Sequence, residues 1–283
     1  MRLIAALAAL LVSTVAQAAP RTILFVGNSF TFAATSPAMR YRADSVKDLN
    51  GDGIGGVPAI FERFAGQAGL DYAVSLETKG GSGLDWHYQY KRAVIDRRWD
   101  VVVLQGYSTL DGDAPGNPAK HIRFARALAE LVTRANRDVQ VELVSTWSRA
   151  DLVHRPGSPW SGTPVAQMAI DLRRASDAAR AATRDIDGVV PVGEAWNRAF
   201  AEGLADPNPY DGIAFGQIDL WGWDQYHASA AGYYLEALVI FGRVTGRDPR
   251  TLGRDEKAAE ELGIRPEIAT ALQRIAWEQL RAG

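Results

Sequence analysis

Short apolar runs of strand length, separated by longer amphipathic stretches, constrain this chain more than any other feature. The runs are Arg21 to Val26, Tyr72 to Thr78, Asp100 to Leu104, Val139 to Ser145 and Gly188 to Val192. Runs such as RTILFV and DVVVL suit strands covered on both faces. Apolar residues at helical spacing mark Pro58 to Gln67, Pro118 to Arg134, Val165 to Arg184, Ala230 to Val244 and Arg265 to Arg281. Strands alternating with helices imply right-handed crossovers. The pattern predicts an α/β fold: a three-layer α/β/α sandwich around a five-stranded parallel sheet. Such sheets collect reactive groups beyond the carboxyl ends of their strands. The first three runs end there in Gly27-Asn28, Gly80-Gly81 and Gln105-Gly106. No repeat, linker or composition break divides the remainder, so residues 19–283 read as one domain.

The start of the chain reads as a targeting segment. Arg2 precedes an apolar run from Leu3 to Val12, and Ala16-Gln17-Ala18 is a small-x-small cleavage signal. Residues 1–18 are therefore expected to be a signal peptide, which places the mature protein in the periplasm or outside the cell. An uncleaved anchor or a buried first strand is the competing reading. No later stretch is apolar enough to anchor it in a membrane. The net charge of −2 offers neither a nucleic-acid surface nor a polybasic patch. The chain has no cysteine, which removes thiol nucleophiles, thiolate metal sites and disulfides.

Four separated pieces carry chemistry. Ser29 follows the first strand within Gly27-Asn28-Ser29-Phe30-Thr31, where a sharp turn into a helix would expose its hydroxyl beside backbone N–H groups. Read alone, the same motif is a helix cap. Asp224 precedes His227 by three residues, a spacing that lets the carboxylate hold Nδ1 and leaves Nε2 to accept a proton. A capping aspartate beside a surface histidine, or a pair of metal ligands, fits that spacing as well. Gly80-Gly81-Ser82-Gly83 can bring backbone N–H groups to a developing oxyanion, and Gln105 can add an amide. An ordinary turn and a loop-closing hydrogen bond are their plainer readings.

Together these pieces resemble the SGNH (GDSL-type) hydrolase family from Ile23 to about Gly246. GNSFT resembles its Ser block, KGGSG its Gly block and DQYH its closing block. The resemblance implies a flavodoxin-like SGNH fold and a catalytic triad of Ser29, His227 and Asp224. It further implies an oxyanion hole of the Ser29 and Gly81 N–H groups with the Gln105 amide. Two positions depart from the family pattern: Asn28 replaces the usual aspartate before the serine, and Gln105 stands where an asparagine donor is typical. The implied reaction is serine ester hydrolysis without a required cofactor, on a small-molecule or glycan ester, with short acetyl esters of carbohydrates favoured. A lysophospholipase or thioesterase would use the same triad. A carbohydrate-binding protein without catalysis, or a metal-dependent phosphoesterase using Asp224, His227 and Asn28, would need a different reading of these residues.

Other residues are candidates for contact with substrate: Asn28, Gly83, Trp86, Trp221 and Trp223. Trp147 reads as packing. Asp48, Asn50 and Asp52, followed by Gly53, match the first half of a calcium loop, but Ala59 stands where the loop's closing glutamate is expected. The competing reading is an Asx-turn loop. His87, His121 and His154 are expected to be structural or surface residues, with His87 near the cleft.

Overall fold

The computed structural model describes residues 19–282. The expected signal segment, residues 1–18, lies outside the described residues. Six parallel strands form one sheet: β1 Arg21–Gly27, β2 Lys47–Asp48, β3 Tyr72–Thr78, β4 Val101–Gln105, β5 Gln140–Ser145 and β6 Gly188–Pro191. Their order is β2-β3-β1-β4-β5-β6. The helices are α1 Gly56–Gln67, α2 Leu84–Tyr90, α3 Arg92–Ile95, α4 Ala119–Ala135, α5 Ala150–Val153, α6 Ala166–Ala181, α7 Val192–Ala201, α8 Ala230–Thr245, α9 Lys257–Glu261 and α10 Pro266–Ala282.

The expected sheet has five strands; the structure adds β2. This two-residue edge strand pairs Lys47 with Ser75 and Asp48 with Leu76. It has no apolar run, because an edge strand open to water needs none.

Strand alternation sorts side chains into two cores. Ile23 and Phe25 of β1, with Val101 and Val103 of β4, face the layer containing α1, α7, α8 and α10. Leu24, Val26, Val102 and Leu104 face the opposite layer, which contains α4. The period-2 switch is the direct consequence of strand geometry. Both faces are therefore sealed by apolar contact, and polar chemistry is displaced to the strand ends. β1 lies centrally between β3 and β4, with the chain departing first to one side and then to the other. The loops after β1, β3 and β4 consequently meet at one edge, at the topological switch point.

No helix among the described residues is long and apolar enough to cross a membrane.

Candidate active site

Ser29 sits two residues beyond β1 and is 7% exposed. The expected helix after it is not there. Residues 28–36 form consecutive turns, and the next α-helix begins at Gly56. Ala33 and Thr35 adopt positive φ of 58° and 62°, conformations unfavourable for residues with a Cβ. A helix cannot incorporate them. The loop is instead held from outside. Phe32 N–H donates to Asn28 O at 3.0 Å and Ala34 N–H to Ser29 O at 2.9 Å. The Tyr233 hydroxyl of α8 donates to Ser29 O at 3.3 Å and to Ala34 O at 3.2 Å.

Asp224 and His227 share a tight loop. Gly222 N–H donates to His227 O at 2.6 Å and closes it, and Gln225 takes φ of 56° within it. This lets one carboxylate serve three donors. Asp224 Oδ2 meets His227 Nδ1 at 2.7 Å, while Oδ1 accepts from Tyr226 N–H at 3.1 Å and His227 N–H at 2.9 Å. Burial alone would raise the Asp224 pKa. The imidazole and the two backbone donors outweigh it and hold the carboxyl below its ordinary value. The cap of α8 is Ser229, whose hydroxyl accepts from Gly232 N–H, so Asp224 is left to the histidine.

His227 Nε2 is buried and has no hydrogen-bond partner. Its ring packs edge-on against Phe30, the neighbour of Ser29, with centroids 5.8 Å apart. The structure thus brings the serine loop and the Asp224–His227 loop to the same sheet edge. Ser29 Oγ and Nε2 are not hydrogen-bonded in this structure; such bonds commonly tighten only with substrate present.

Beneath both loops runs an aromatic stack. Phe30 stacks on Trp147 at 4.1 Å and Trp147 on Trp196 at 4.7 Å. Trp147 Nε1 donates to Tyr226 O at 3.3 Å. The indole therefore touches the serine loop with its face and the histidine loop with its edge, in agreement with the packing expected for Trp147.

Gly81 is exposed, with φ of 68°, a backbone conformation glycine adopts readily. Among the described residues, neither the Ser29 N–H nor the Gly81 N–H donates to another protein group. Both remain available as oxyanion donors. Gln105 does not. It is 1% exposed, and its Oε1 accepts from Asn28 N–H at 2.9 Å and from the Thr31 hydroxyl at 3.1 Å. Its Nε2 donates to Gly106 O. The expectation that Gln105 supplies an oxyanion donor is corrected: its amide is spent bracing the serine loop. A Cβ at Gly27 would stand 2.8 Å from Gln105 Oε1 and 2.1 Å from Thr31 Oγ1, so this brace requires glycine there.

Asn28 is corrected in the same way. At 3% exposure its Nδ2 donates to Ser82 O at 2.8 Å and Gly106 O at 3.1 Å, and its Oδ1 accepts from Phe30 N–H at 3.1 Å. It ties the three loops of the site together and does not face substrate.

No protein-family model matches the sequence, and no curated protein matches it. Solved structures do match in fold. A DUF4886 family protein from Bacteroides uniformis aligns over 93% of this chain and 95% of its own at TM-score 0.64 and 17% identity. A candidate SGNH hydrolase from Slackia heliotrinireducens aligns over 80% of this chain and 99% of its own, at 0.51 and 19%. A mutant acetyl-xylooligosaccharide esterase from Geobacillus aligns over 80% and 95%, at 0.53 and 16%. The chain has the SGNH-hydrolase fold.

Within this SGNH fold the remaining candidates separate. Trp86 is partly exposed beside the Gly block, and Trp223 is 79% exposed next to Asp224. Trp221 is 1% exposed and donates through Nε1 to Ser148 O at 2.9 Å, so it supports the histidine loop and is no substrate wall. Gly83 is buried; a Cβ there would meet Asp85 Oδ1 at 2.6 Å. It makes room for Asp85 and offers substrate no side chain. His87 is fully buried and pairs through Nδ1 with Glu77. His121 is buried behind Gly106, and His154 is exposed.

In the calcium-like loop, Asp48 Oδ1 accepts from Asn50 N–H, and Oδ2 from the N–H groups of Asp52 and Ile54. Lys91 Nζ lies 2.6 Å from Asn50 Oδ1. Backbone donors and an ammonium group thus already occupy oxygens that an ion would need. Among the described residues, no three His, Cys, Asp or Glu side chains converge as a metal site.

One residue escapes the motifs. Arg149, in the loop after β5, places its guanidinium 3.6 Å from the Tyr226 ring centroid. It chelates Asp151 at 3.0 and 2.7 Å, and Asp151 N–H donates to Gln225 O at 3.1 Å. The clamp grips the two residues preceding His227. Only the tertiary fold brings it there, across 76 positions of sequence from Gln225.

Proposed function

We propose that this chain is an exported serine esterase, acting on short-acyl esters of carbohydrates through Ser29, His227 and Asp224. The observation that carries the reading is the Asp224–His227 pair. One imidazole nitrogen is held at 2.7 Å by a carboxylate, while the other is buried, unpaired and packed beside the serine loop. Export rests on the sequence of residues 1–18.

In the first half-reaction His227 Nε2 takes the Ser29 proton as Oγ bonds to the ester carbonyl carbon. Negative charge collects on the carbonyl oxygen, against the N–H groups of Ser29 and Gly81. His227 returns the proton to the leaving alcohol as the carbon–oxygen bond breaks, which leaves an acyl-serine. Water, deprotonated by the same imidazole, then releases the acid and restores Ser29. Asp224 holds the ring in the correct tautomer and stabilises the imidazolium. Acetyl esters of sugars are the preferred substrates because export and a polar, aromatic surround of the serine suit them; an acetyl-xylooligosaccharide esterase shares the fold.

A fluorophosphonate probe should label the wild type and leave Ser29→Ala unlabelled. Hydrolysis of p-nitrophenyl acetate, run with a chelator, should disappear in the same variant. Continued labelling of Ser29→Ala would refute the assignment. Activity lost to the chelator would favour a metal-dependent enzyme, and a well-folded wild type that neither labels nor hydrolyses would favour a binding protein.

A further inference from the structure

We propose that the polar cleft beside the Gly block is the subsite for the alcohol half of the substrate, and that it selects a neutral, hydroxyl-rich ring. This deepens the esterase reading and rests on it. The cleft has a volume of about 340 Å³, and its walls include Gly81, Asp85, Trp86, Tyr107, Asp111 and Lys120. That volume lies within the range of small-molecule sites.

Its position follows from the sheet. One wall is the loop from β3 into α2; the other is the loop after β4. Asn28, the neighbour of Ser29, donates to Ser82 O in the first loop and to Gly106 O in the second. The serine loop is therefore tied to both of the loops that form the cleft walls. Gly81, one of the two oxyanion donors, stands on its rim. An ester whose carbonyl oxygen rests on Gly81 N–H can place its alcohol portion in this cleft.

The chemistry of the walls narrows what fits. Asp85 makes no side-chain hydrogen bond or ion pair among the described residues, and Gly83 is what admits its carboxylate. Asp111 and the exposed Asp113 are joined by Lys120 Nζ at 2.7 and 3.1 Å. Trp86 and Tyr107 add ring surface. A cationic alcohol is disfavoured, because Lys79 and Lys91 already stand 5.8 and 5.9 Å from the Trp86 ring centroid and Lys120 flanks the other wall. An anionic alcohol meets Asp85, Asp111 and Asp113. A long hydrocarbon chain would strip water from these charges without replacing its hydrogen bonds. A neutral polyol alone gives hydroxyl donors to the carboxylates, acceptors to the ammonium group and C–H faces to the aromatic rings.

The test compares acetylated xylotriose with p-nitrophenyl acetate, which has no polyol. The ratio of kcat/KM values, glycan ester over aryl ester, should fall about tenfold or more in Asp85→Ala and in Trp86→Ala, as expected for one lost hydrogen bond or stacking contact. Misfolding or a damaged triad would lower both substrates together and leave the ratio unchanged. An unchanged ratio in both variants, with p-nitrophenyl acetate still cleaved at the wild-type rate, overturns the subsite, as does a wild type that cleaves p-nitrophenyl acetate but not the glycan ester. Absence of p-nitrophenyl acetate hydrolysis with no labelling of Ser29 sinks the esterase reading itself, so the two failures are distinct.

Discussion

Replacing Asn28 by aspartate would restore the residue that the resembled family carries before its serine, and here the change should be destabilising. Asn28 Nδ2 donates to two carbonyl oxygens, Ser82 O and Gly106 O, at a position only 3% exposed. A carboxylate keeps the acceptor for Phe30 N–H but faces those carbonyls with no proton to give. Two buried hydrogen bonds at about 1 kcal/mol each, plus the cost of leaving their acceptors unpaired, amount to roughly 2–4 kcal/mol. For a domain of this size, that is a fall in Tm of roughly 4–8 °C. The sign of the pH dependence is specific. Burial against two carbonyl oxygens raises the introduced carboxyl's pKa in the folded state above its unfolded value of about 4. The penalty from the charge is thus absent below that unfolded value and grows as pH rises through the folded one. The Tm gap between Asn28→Asp and wild type should widen from pH 4 to pH 7. Asn28→Ala loses the same donors without adding a charge, so its gap should stay constant with pH. Scanning fluorimetry of the three proteins across this range decides the matter. Equal Tm values, or an Asn28→Asp gap that narrows towards neutral pH, would refute the claim that Asn28 ties the loops by donation.

Three further outcomes are expected. Gln105→Ala should lower Tm by several degrees, since Asn28 N–H and the Thr31 hydroxyl lose their acceptor; a drop in kcat of about 10²–10³ at unchanged Tm would instead restore Gln105 as an oxyanion donor. Arg149→Met should reduce kcat on p-nitrophenyl acetate by about tenfold with little change in KM, because a loosened histidine loop impairs proton transfer more than binding; unaltered kcat would refute the clamp. Burial lowers the His121 pKa to about 4. Its stabilisation is complete above the unfolded value near 6.5 and is lost as pH falls towards 4, so urea midpoints should show His121→Leu losing about 2–3 kcal/mol less than wild type between pH 7 and 4.5. Parallel losses in the two proteins would count against that account.

The layer architecture was legible because it is written in apolar periodicity. Tyr72 to Thr78 matches β3 at both ends, and the five expected helices differ from α1, α4, α6, α8 and α10 by no more than a few residues at either end. The elements that periodicity did not announce are short. Helix α3 has four residues and β2 has two. Neither is long enough to repeat a pattern, and β2 exists only through its pairing with β3. Helix α7 was missed for another reason: Val192 to Ala201 follows β6 without a break, so its apolar start reads as more strand.

At the site, side chains whose partners are adjacent in sequence could be read, whereas those whose partners are distant could not. Asp224 and His227 are three residues apart, and their pairing is a local geometric matter. The roles of Gln105 and Asn28 depend on which loops surround them once the sheet forms. An amide at a strand end can face an oxyanion or turn inward, and sequence spacing is silent between the two. What decides here is the demand of the serine loop. Residues 28–36 contain two strained positions, Ala33 and Thr35, and no regular helix to satisfy their backbone. Such a loop persists only when its surroundings over-determine it. Gln105 from β4, Asn28 within the loop, Tyr233 from α8 and the Phe30–Trp147 stack supply that restraint from four directions. The two positions that depart from the family pattern, 28 and 105, are thus bonded directly to each other. Asn28 donates through its side chain to two neighbouring loops, while its backbone N–H donates to Gln105 Oε1 at 2.9 Å.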